Sequence, residues 1–314
     1  MSDAEANQPF ECKACGTMCA YETETCPGCG EPVAPPLPDD MVGTLLAEKY
    51  AIERKLGEGG MGMVYLATQE PIGRQVCLKV VHQDICNDPV SFRRFQREAE
   101  MASKVMHPNS VEIYDFQQLP DGRAFIVMEL VKGAELTDII EADYPFEPER
   151  IIRILSQVCG VLDVGHRLKV IHRDLKPDNI MVDASAQGKD FVKVLDFGLA
   201  KSSEQAPGAT QLTMAGTAIG TPEYMAPEQC MGKPVGPETD IYAVGVILYE
   251  MLAGVKPFES ATMAGFLQKH VTETPLPPSR RARAGGVDPE LEKLALWALK
   301  KDPKERPPSA AEFK

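Results

Sequence analysis

The stretch His172-Arg173-Asp174-Leu175-Lys176-Pro177-Asp178-Asn179 is the most informative part of the chain. This charged run lies between two short apolar runs, a pattern typical of a rigid loop that carries chemistry between strands. Asp174 supplies a carboxylate that can orient a hydroxyl group and accept its proton, and Asn179 supplies an amide oxygen suited to a hard metal ion. Lys176 adds a mobile cation. We therefore expect Asp174, Lys176 and Asn179 to be catalytic residues.

Composition limits the class of protein. The chain has 314 residues, is 44% hydrophobic and carries a formal net charge of -13. This is an ordinary globular composition, and the negative charge argues against a nucleic-acid partner. The sequence has no signal peptide and no apolar run of the ~18 residues that a membrane span needs. Its nine cysteines indicate free thiols or metal ligands in a reducing compartment. We expect a cytoplasmic protein, tethered to a membrane only if the natural chain continues past Lys314.

The N-terminal region carries two Cys-x-x-Cys-Gly knuckles, Cys12 with Cys15 and Cys26 with Cys29. Four thiolates in two tight turns suit tetrahedral zinc, and the segment resembles a zinc ribbon. A dithiol redox pair and an unstructured tail with incidental cysteines are the alternatives, and iron would fit the same four ligands. Cys19 lies outside the pattern, either as a spare thiol or as an alternative ligand.

Residues 32–42 are rich in proline and acidic residues, which predicts an extended linker after a module at 1–31. The next informative stretch is Leu56-Gly-Glu-Gly-Gly-Met-Gly-Met-Val64, with alternating apolar residues on both sides. The alternation indicates a β-hairpin and not a strand that enters a helix. Glycines in such a hairpin let backbone N–H groups approach the phosphates of a nucleotide.

Four stretches together resemble the protein kinase family. The run 172–179 is similar to the catalytic loop, and Val76-Cys-Leu-Lys79 is similar to the strand that carries a phosphate-binding lysine. Asp196-Phe-Gly198 matches the D-F-G motif, and Gly220 to Glu228 resembles the end of the activation segment with its A-P-E anchor. The wording of the glycine-rich stretch and of the A-P-E region looks most like the bacterial Hanks-type Ser/Thr kinases.

This resemblance implies an α+β, two-lobed protein kinase fold over residues 43–314, preceded by the zinc-ribbon-like module. A small β-rich N-lobe with one helix would span about 43–128, a hinge 129–133 and a larger, mainly helical C-lobe 134–314. ATP would lie between the lobes with Mg²⁺ or Mn²⁺. The implied reaction is phosphorylation of Ser and Thr hydroxyls on protein substrates.

The resemblance also implies the roles of the central residues. Asp174 would orient the acceptor hydroxyl, assisted by Lys176, and Lys79 would bind the α- and β-phosphates. Asn179 and Asp196 would hold magnesium, because two cations offset the charge that builds on the transferring phosphoryl group.

A helix glutamate pairs with the strand lysine in the family, and Glu98 is the match. Glu100 is the competing choice and faces roughly the other way. Met128 would be the gatekeeper, and backbone groups of Glu129 and Val131 would bond the adenine edge. The other residues expected to line the nucleotide are Leu56, Gly57, Glu58, Gly59, Gly60, Met61, Gly62, Met63, Val64, Cys77 and Met181.

The segment between the D-F-G and A-P-E motifs is rich in Ser, Thr, Gly and Ala and resembles an activation loop. Thr213 and Thr217 are the expected autophosphorylation sites, with Arg173 as the partner of the phosphate. Thr221 would contact Asp174 and Lys176. A homodimer would let one copy phosphorylate the loop of another.

Two structural pairs and two rival functions complete the expectations. Asp240 matches a buried aspartate that steadies the catalytic loop, and Arg306 matches the arginine that pairs with Glu228. The first rival is a pseudokinase that serves as a nucleotide-binding scaffold, although no catalytic residue of the family is lost. The second is a zinc- or redox-sensing module that controls the kinase domain.

Overall fold

The computed structural model describes residues 10–11, 15–19, 23, 25–30, 41–59, 62–119, 122–184, 190–197 and 222–314. Near the N-terminus, β1 (Phe10–Glu11) and β2 (Met18–Cys19) form a small antiparallel pair. Some of the expected site residues lie outside the described part of the chain, namely Cys12, Gly60, Met61, Thr213, Thr217 and Thr221.

An antiparallel sheet of six strands forms the first lobe, in the order β3-β4-β5-β6-β8-β7. The strands are β3 (Leu45–Leu46), β4 (Tyr50–Gly59), β5 (Gly62–Gln69), β6 (Arg74–Val81), β7 (Ile113–Gln118) and β8 (Ala124–Glu129). β4 and β5 pair from Tyr50 opposite Gln69 to Gly59 opposite Gly62, which confirms the predicted hairpin. Met41, within the segment predicted as linker, is buried in the core of this sheet.

Two helices accompany this sheet, where the sequence predicted one. α1 (Gln83–Asn87) precedes α2 (Pro89–Ala102), and the expectation of a lobe with one helix was wrong. The break lies at Asp88, which is extended with φ -93° and ψ 109°. A residue that precedes proline avoids the helical region, because the proline ring clashes with its backbone. Pro89 therefore separates two helices instead of continuing one.

The second lobe is mainly helical, as expected. A small sheet of β9 (Ala134–Glu135), β10 (Ile180–Asp183) and β11 (Phe191–Val194) has the order β11-β10-β9. The helices are α3 (Leu136–Asp143), α4 (Pro148–Arg167), α5 (Pro227–Cys230), α6 (Pro237–Ala253), α7 (Met263–Thr272), α8 (Pro289–Ala298) and α9 (Ala310–Phe313). α6 is buried on nearly all sides, as its apolar sequence predicted. Within the described ranges, no helix combines the length and apolar character that a membrane crossing requires.

The charged stretch 172–179 lies between α4 and β10. The apolar run before it is not a strand, contrary to expectation. α4 ends at Arg167, and Lys169 has a left-handed φ of 62° that turns the chain. The backbone N–H of Val170 donates to Gly165 O at 2.9 Å, so this run closes the helix end and cannot join a ladder. The apolar run after the stretch forms β10, as expected.

Candidate active site

The glycine-rich hairpin is tight at one glycine and open at two others. A Cβ at Gly62 would lie 1.9 Å from the backbone oxygen of Val80, so only glycine fits there. A Cβ at Gly57 or Gly59 would meet nothing within 4 Å. Packing within the protein therefore does not require glycine at these two positions. The open space beside them is suited to a ligand that approaches the backbone closely.

Lys79 and Asp196 meet although 117 residues separate them. Lys79 lies on β6, opposite Val64 of the hairpin. Its Nζ donates to Asp196 Oδ2 at 2.7 Å, and only 11% of the lysine side chain is exposed. Burial alone would raise the pKa of Asp196, but the adjacent Lys79 ammonium outweighs it and the pKa is lowered. Asp196 is therefore an anionic oxygen donor beside a cation.

The expected partner of Lys79 on the helix is elsewhere in this structure. Glu98 Oε1 accepts a bond from Arg173 Nη1 at 3.4 Å, while the carboxylate beside Lys79 belongs to Asp196. The expectation that Glu98 pairs with Lys79 was therefore wrong for this arrangement. Asp196 offers Lys79 a negative partner, and Arg173 offers Glu98 a positive one. Sequence motifs alone do not decide which of these pairs forms. The carboxylate of Glu98 contacts Arg173 in the stretch 172–179, whereas Glu100 is exposed.

Asp174 and Asn179 are joined by hydrogen bonds within the stretch 172–179. The Asn179 amide Nδ2 donates to Asp174 O at 2.7 Å and lies 3.4 Å from Asp174 Oδ2. The backbone N–H of Leu195, next to Asp196, donates to Asn179 O at 2.9 Å. These bonds bring Asp174, Asn179 and Asp196 close together, so that their side chains can act on a common ligand.

The carboxylate of Asp240 fixes the backbone at the start of the stretch 172–179. Its Oδ2 accepts from the backbone N–H of His172 at 2.8 Å, and its Oδ1 accepts from that of Arg173 at 2.9 Å. The ring of His166 contacts the same carboxylate at 2.8 Å. The predicted contact of Asp240 with the loop is thus confirmed. Arg173 and Asp196 have positive φ angles of 68° and 50°, backbone strain that such fixed contacts sustain.

Cys77 and Met128, both expected near the nucleotide, lie opposite each other on β6 and β8. Burial, and secondly the charge of Asp196, raise the pKa of the Cys77 thiol to about 11. Because the thiolate is the reactive form, Cys77 is a poor nucleophile near neutral pH. The backbone N–H of Glu129 donates to Glu112 O at 2.9 Å.

A buried ion pair anchors the A-P-E region. Arg306 Nη1 and Nη2 donate to the two oxygens of Glu228, each at 2.8 Å. The exposed fractions of these side chains are 0% and 6%. Burial would raise the pKa of Glu228, but Arg306 lowers it. The predicted pair is confirmed, and it fixes α5 to the C-lobe.

Three partners were not anticipated from sequence. His166 on α4 bonds Asp240. Lys193 on β11 bonds the hinge residue Glu129, with 2.6 Å between Nζ and Oε2. Gln229, which directly follows Glu228, donates to the carbonyl of Arg173. Lys193 stands between Val192 and Val194, a signal of a buried partner that does not say which one. The sequence neighbours of His166 and Gln229 give no such signal.

The cysteines near the N-terminus form a cluster. The Sγ atoms of Cys15, Cys26 and Cys29 lie within 4.8 Å of one another. Gly16 and Gly30, which follow the knuckles, have φ angles of 74° and 75°, as tight turns require. The backbone N–H of residue 28 points at Cys26 Sγ at 3.3 Å. This donor set could hold a metal ion.

The family model described as protein kinase domain matches residues 50–313. The chain belongs to the protein kinase family. The two-lobed kinase fold expected from the sequence is thereby confirmed. Among solved structures, the PknI kinase domain of Mycobacterium tuberculosis is similar, with a TM-score of 0.64 and 27% identity. That match covers 86% of this chain and 95% of the other.

Two curated bacterial proteins are similar to this kinase family member. The serine/threonine-protein kinase pkn3 of Myxococcus xanthus is 48% identical over 276 residues, which are 88% of this chain and 50% of the relative. The serine/threonine-protein kinase PknB of Mycolicibacterium smegmatis is 39% identical over 272 residues, which are 86% of this chain and 42% of the relative. The chain thus spans about half the length of the curated relatives it matches.

Proposed function

We propose that this chain catalyses the ATP-dependent phosphorylation of Ser and Thr hydroxyls on proteins. The observation that carries the proposal is the set of hydrogen bonds that brings Lys79, Asp196, Asn179 and Asp174 close together. The names of the curated relatives, which are serine/threonine-protein kinases, support the same reaction. Lys176 adds positive charge near Asp196 and helps to lower the pKa of its carboxyl group.

The donor set fits a magnesium-nucleotide. Asp196 offers a carboxylate with a lowered pKa, Asn179 offers an amide oxygen, and hard cations prefer oxygen ligands. The open face of the hairpin at Gly57 and Gly59 fits the phosphates. Magnesium, when bound, would neutralise charge that develops on the transferring phosphoryl group.

Residues of the chain supply position and charge. The ammonium group of Lys79 supplies positive charge where the phosphates would lie. Asp174 would orient the acceptor hydroxyl and accept its proton. The Asn179 bond to the Asp174 carbonyl restrains the direction of that carboxylate. Met128, Glu129 and Val131 would line the adenine.

Transfer of radiolabelled phosphate from ATP to a generic acceptor protein tests this function. We expect Asp174→Asn and Lys79→Met each to lower the transfer rate by about 10³-fold or more, as loss of charge and position in phosphoryl transfer does. Asp163→Asn and Lys293→Met make the same chemical changes on the surface of α4 and α8 and should leave the rate unchanged. A wild-type chain that binds ATP but transfers nothing would support the pseudokinase instead.

We also propose control by autophosphorylation of Thr213 and Thr217, with Thr221 near the acceptor. Arg173 supports this because its guanidinium is only loosely paired, with Glu98 at 3.4 Å, and a phosphate is a stronger partner for arginine. A homodimer would bring one loop to the cleft of another copy. Phosphopeptide mapping of active protein, with neither Thr213 nor Thr217 modified, would exclude the proposal.

Finally, we propose that Cys12, Cys15, Cys26 and Cys29 bind zinc. The close Sγ atoms and the N–H bond to Cys26 support a thiolate site. Elemental analysis should find about one zinc per chain, lost in Cys26→Ser and retained in Cys230→Ser. None of the eight described cysteines forms a disulfide bond, which supports a reducing, cytoplasmic setting. Loss of zinc in Cys19→Ser with retention in Cys12→Ser would assign the fourth ligand to Cys19.

A further inference from the structure

Gln229 bridges the A-P-E anchor and the catalytic loop. Its side chain is buried, with 8% of the residue exposed. The amide Oε1 accepts from the backbone N–H of Ala226 at 3.0 Å, and Nε2 donates to Arg173 O at 2.8 Å. Both ends of the amide are therefore used, and a side chain with only one function cannot replace it. The neighbouring Glu228 is held by its ion pair with Arg306, which restrains the backbone position of Gln229.

The backbone of Arg173 is held from two sides. Its N–H donates to Asp240 on α6 at 2.9 Å, and its carbonyl accepts from Gln229 on α5. The residue has a φ of 68°, a left-handed conformation that is strained for a residue with a side chain. The carbonyl of Arg173 belongs to the peptide unit that leads into Asp174. Release of this carbonyl would let the peptide rotate and turn the Asp174 carboxylate away from the acceptor.

We propose that Gln229 is a positioning residue for phosphoryl transfer, because it fixes the Arg173–Asp174 peptide and ties the direction of Asp174 to the anchored activation segment. This inference rests on the proposed kinase function. It assigns Gln229 no contact with ATP or with the acceptor protein. Its substitution should therefore lower kcat and leave the KM for ATP nearly unchanged.

Gln229→Glu tests the donor specifically. The new side chain keeps an oxygen for the Ala226 N–H but places a carboxylate oxygen against the Arg173 carbonyl. Loss of a buried hydrogen bond of this kind predicts a kcat about 10- to 100-fold lower at pH 8. The KM for ATP should change less than about two-fold. Burial and the facing carbonyl raise the pKa of the introduced carboxyl, so its protonation at lower pH restores a donor. The deficit relative to wild type should accordingly shrink between pH 8 and pH 6.

Gln268→Glu is the matched control, because it makes the same change at an exposed position on α7. Gln229→Met removes both hydrogen bonds and should show a kcat deficit that does not depend on pH. It decides the matter if Gln229→Glu fails to fold, as judged by thermal unfolding. Each variant is assayed for radiolabelled phosphate transfer to the generic acceptor, beside wild type and Asp174→Asn.

The results separate this proposal from the function on which it rests. Transfer by wild type, with a pH-dependent kcat deficit in Gln229→Glu, is the expected result. Wild-type kcat in both Gln229 variants, or equal loss of kcat and ATP affinity at every pH, would overturn the positioning role alone. No transfer above the Asp174→Asn level by wild type would overturn the kinase function and this proposal together.

Discussion

Removal of Arg306 should destabilise the C-lobe strongly. Its guanidinium makes two bonds of 2.8 Å to Glu228 and also donates to the carbonyls of Glu238, Lys300 and Lys301. Both charged side chains are nearly inaccessible to water. Arg306→Met leaves the Glu228 carboxylate buried beside one hydroxyl donor, that of Thr239 at 2.8 Å. Breaking such a pair from one side costs about 3–5 kcal/mol, which is ~6–20 °C in melting temperature for a domain of this size.

The pH dependence gives this prediction its sign. The folded-state pKa of Glu228 is lowered, so the stability it contributes is present above its ordinary pKa and is lost as pH falls through the folded value. Arg306→Met removes the cation that lowers this pKa and leaves burial, which raises it. The variant can then protonate Glu228 at mildly acidic pH. The gap in melting temperature between wild type and variant should therefore narrow from pH 8 to pH 5.

Thermal unfolding followed by circular dichroism measures both effects. Arg167→Met is the control, because that arginine is 70% exposed and pairs with Asp163 on the surface of α4, a contact of about 0.5 kcal/mol. Replacing Glu228 and Arg306 together by methionine should recover part of the loss, since no charge then stays buried alone. A drop no larger than that of Arg167→Met, or a gap that is constant with pH, would refute the reasoning.

Three further predictions concern other sites. Gly62→Ala should lower the unfolding free energy by about 1–3 kcal/mol, because the new Cβ meets a backbone oxygen. Gly57→Ala should leave stability unchanged and raise the KM for ATP. Equal melting temperatures for the two variants would contradict this prediction. Cys77, with a pKa of about 11, should react with iodoacetamide at pH 8 roughly 100-fold more slowly than a free thiol; rapid labelling seen by mass spectrometry would count against the buried thiol. Burial, and secondly the charge of Arg306, lower the pKa of Lys301 to about 8, so the unfolded chain binds more protons above that pH. The stability of wild type relative to Lys301→Met should therefore increase from pH 7 to pH 9.5. A decrease over that range would contradict the lowered pKa.

Sequence motifs predicted which residues form the site better than they predicted the contacts between those residues. Lys79, Asp174 and Asp196 were assigned to one site because each lies in a short pattern with its own chemistry. The exchange that pairs Glu98 with Arg173 was not foreseen, since the choice depends on how α2 lies against the catalytic loop. A motif gives the charge of a residue, and the packing of distant elements decides its partner.

Fold prediction followed the same division. The alternating hairpin around the glycines and the apolar α6 were predictable from periodicity, because both patterns reflect one buried face or full burial. The break at Asp88 and the non-strand run before His172 were local backbone effects that an apolar pattern does not reveal. Gln229 and Lys193 have partners 56 and 64 residues away, so their roles depend on tertiary structure.

The most direct measurement is a crystal structure of the chain with a non-hydrolysable ATP analogue and Mn²⁺, whose anomalous signal locates the metal. The account predicts that the nucleotide lies between the lobes, with manganese on the oxygens of Asn179 and Asp196, Lys79 beside the phosphates and Asp174 facing the terminal phosphate. A nucleotide bound elsewhere, or manganese without contact to Asn179 and Asp196, would contradict it.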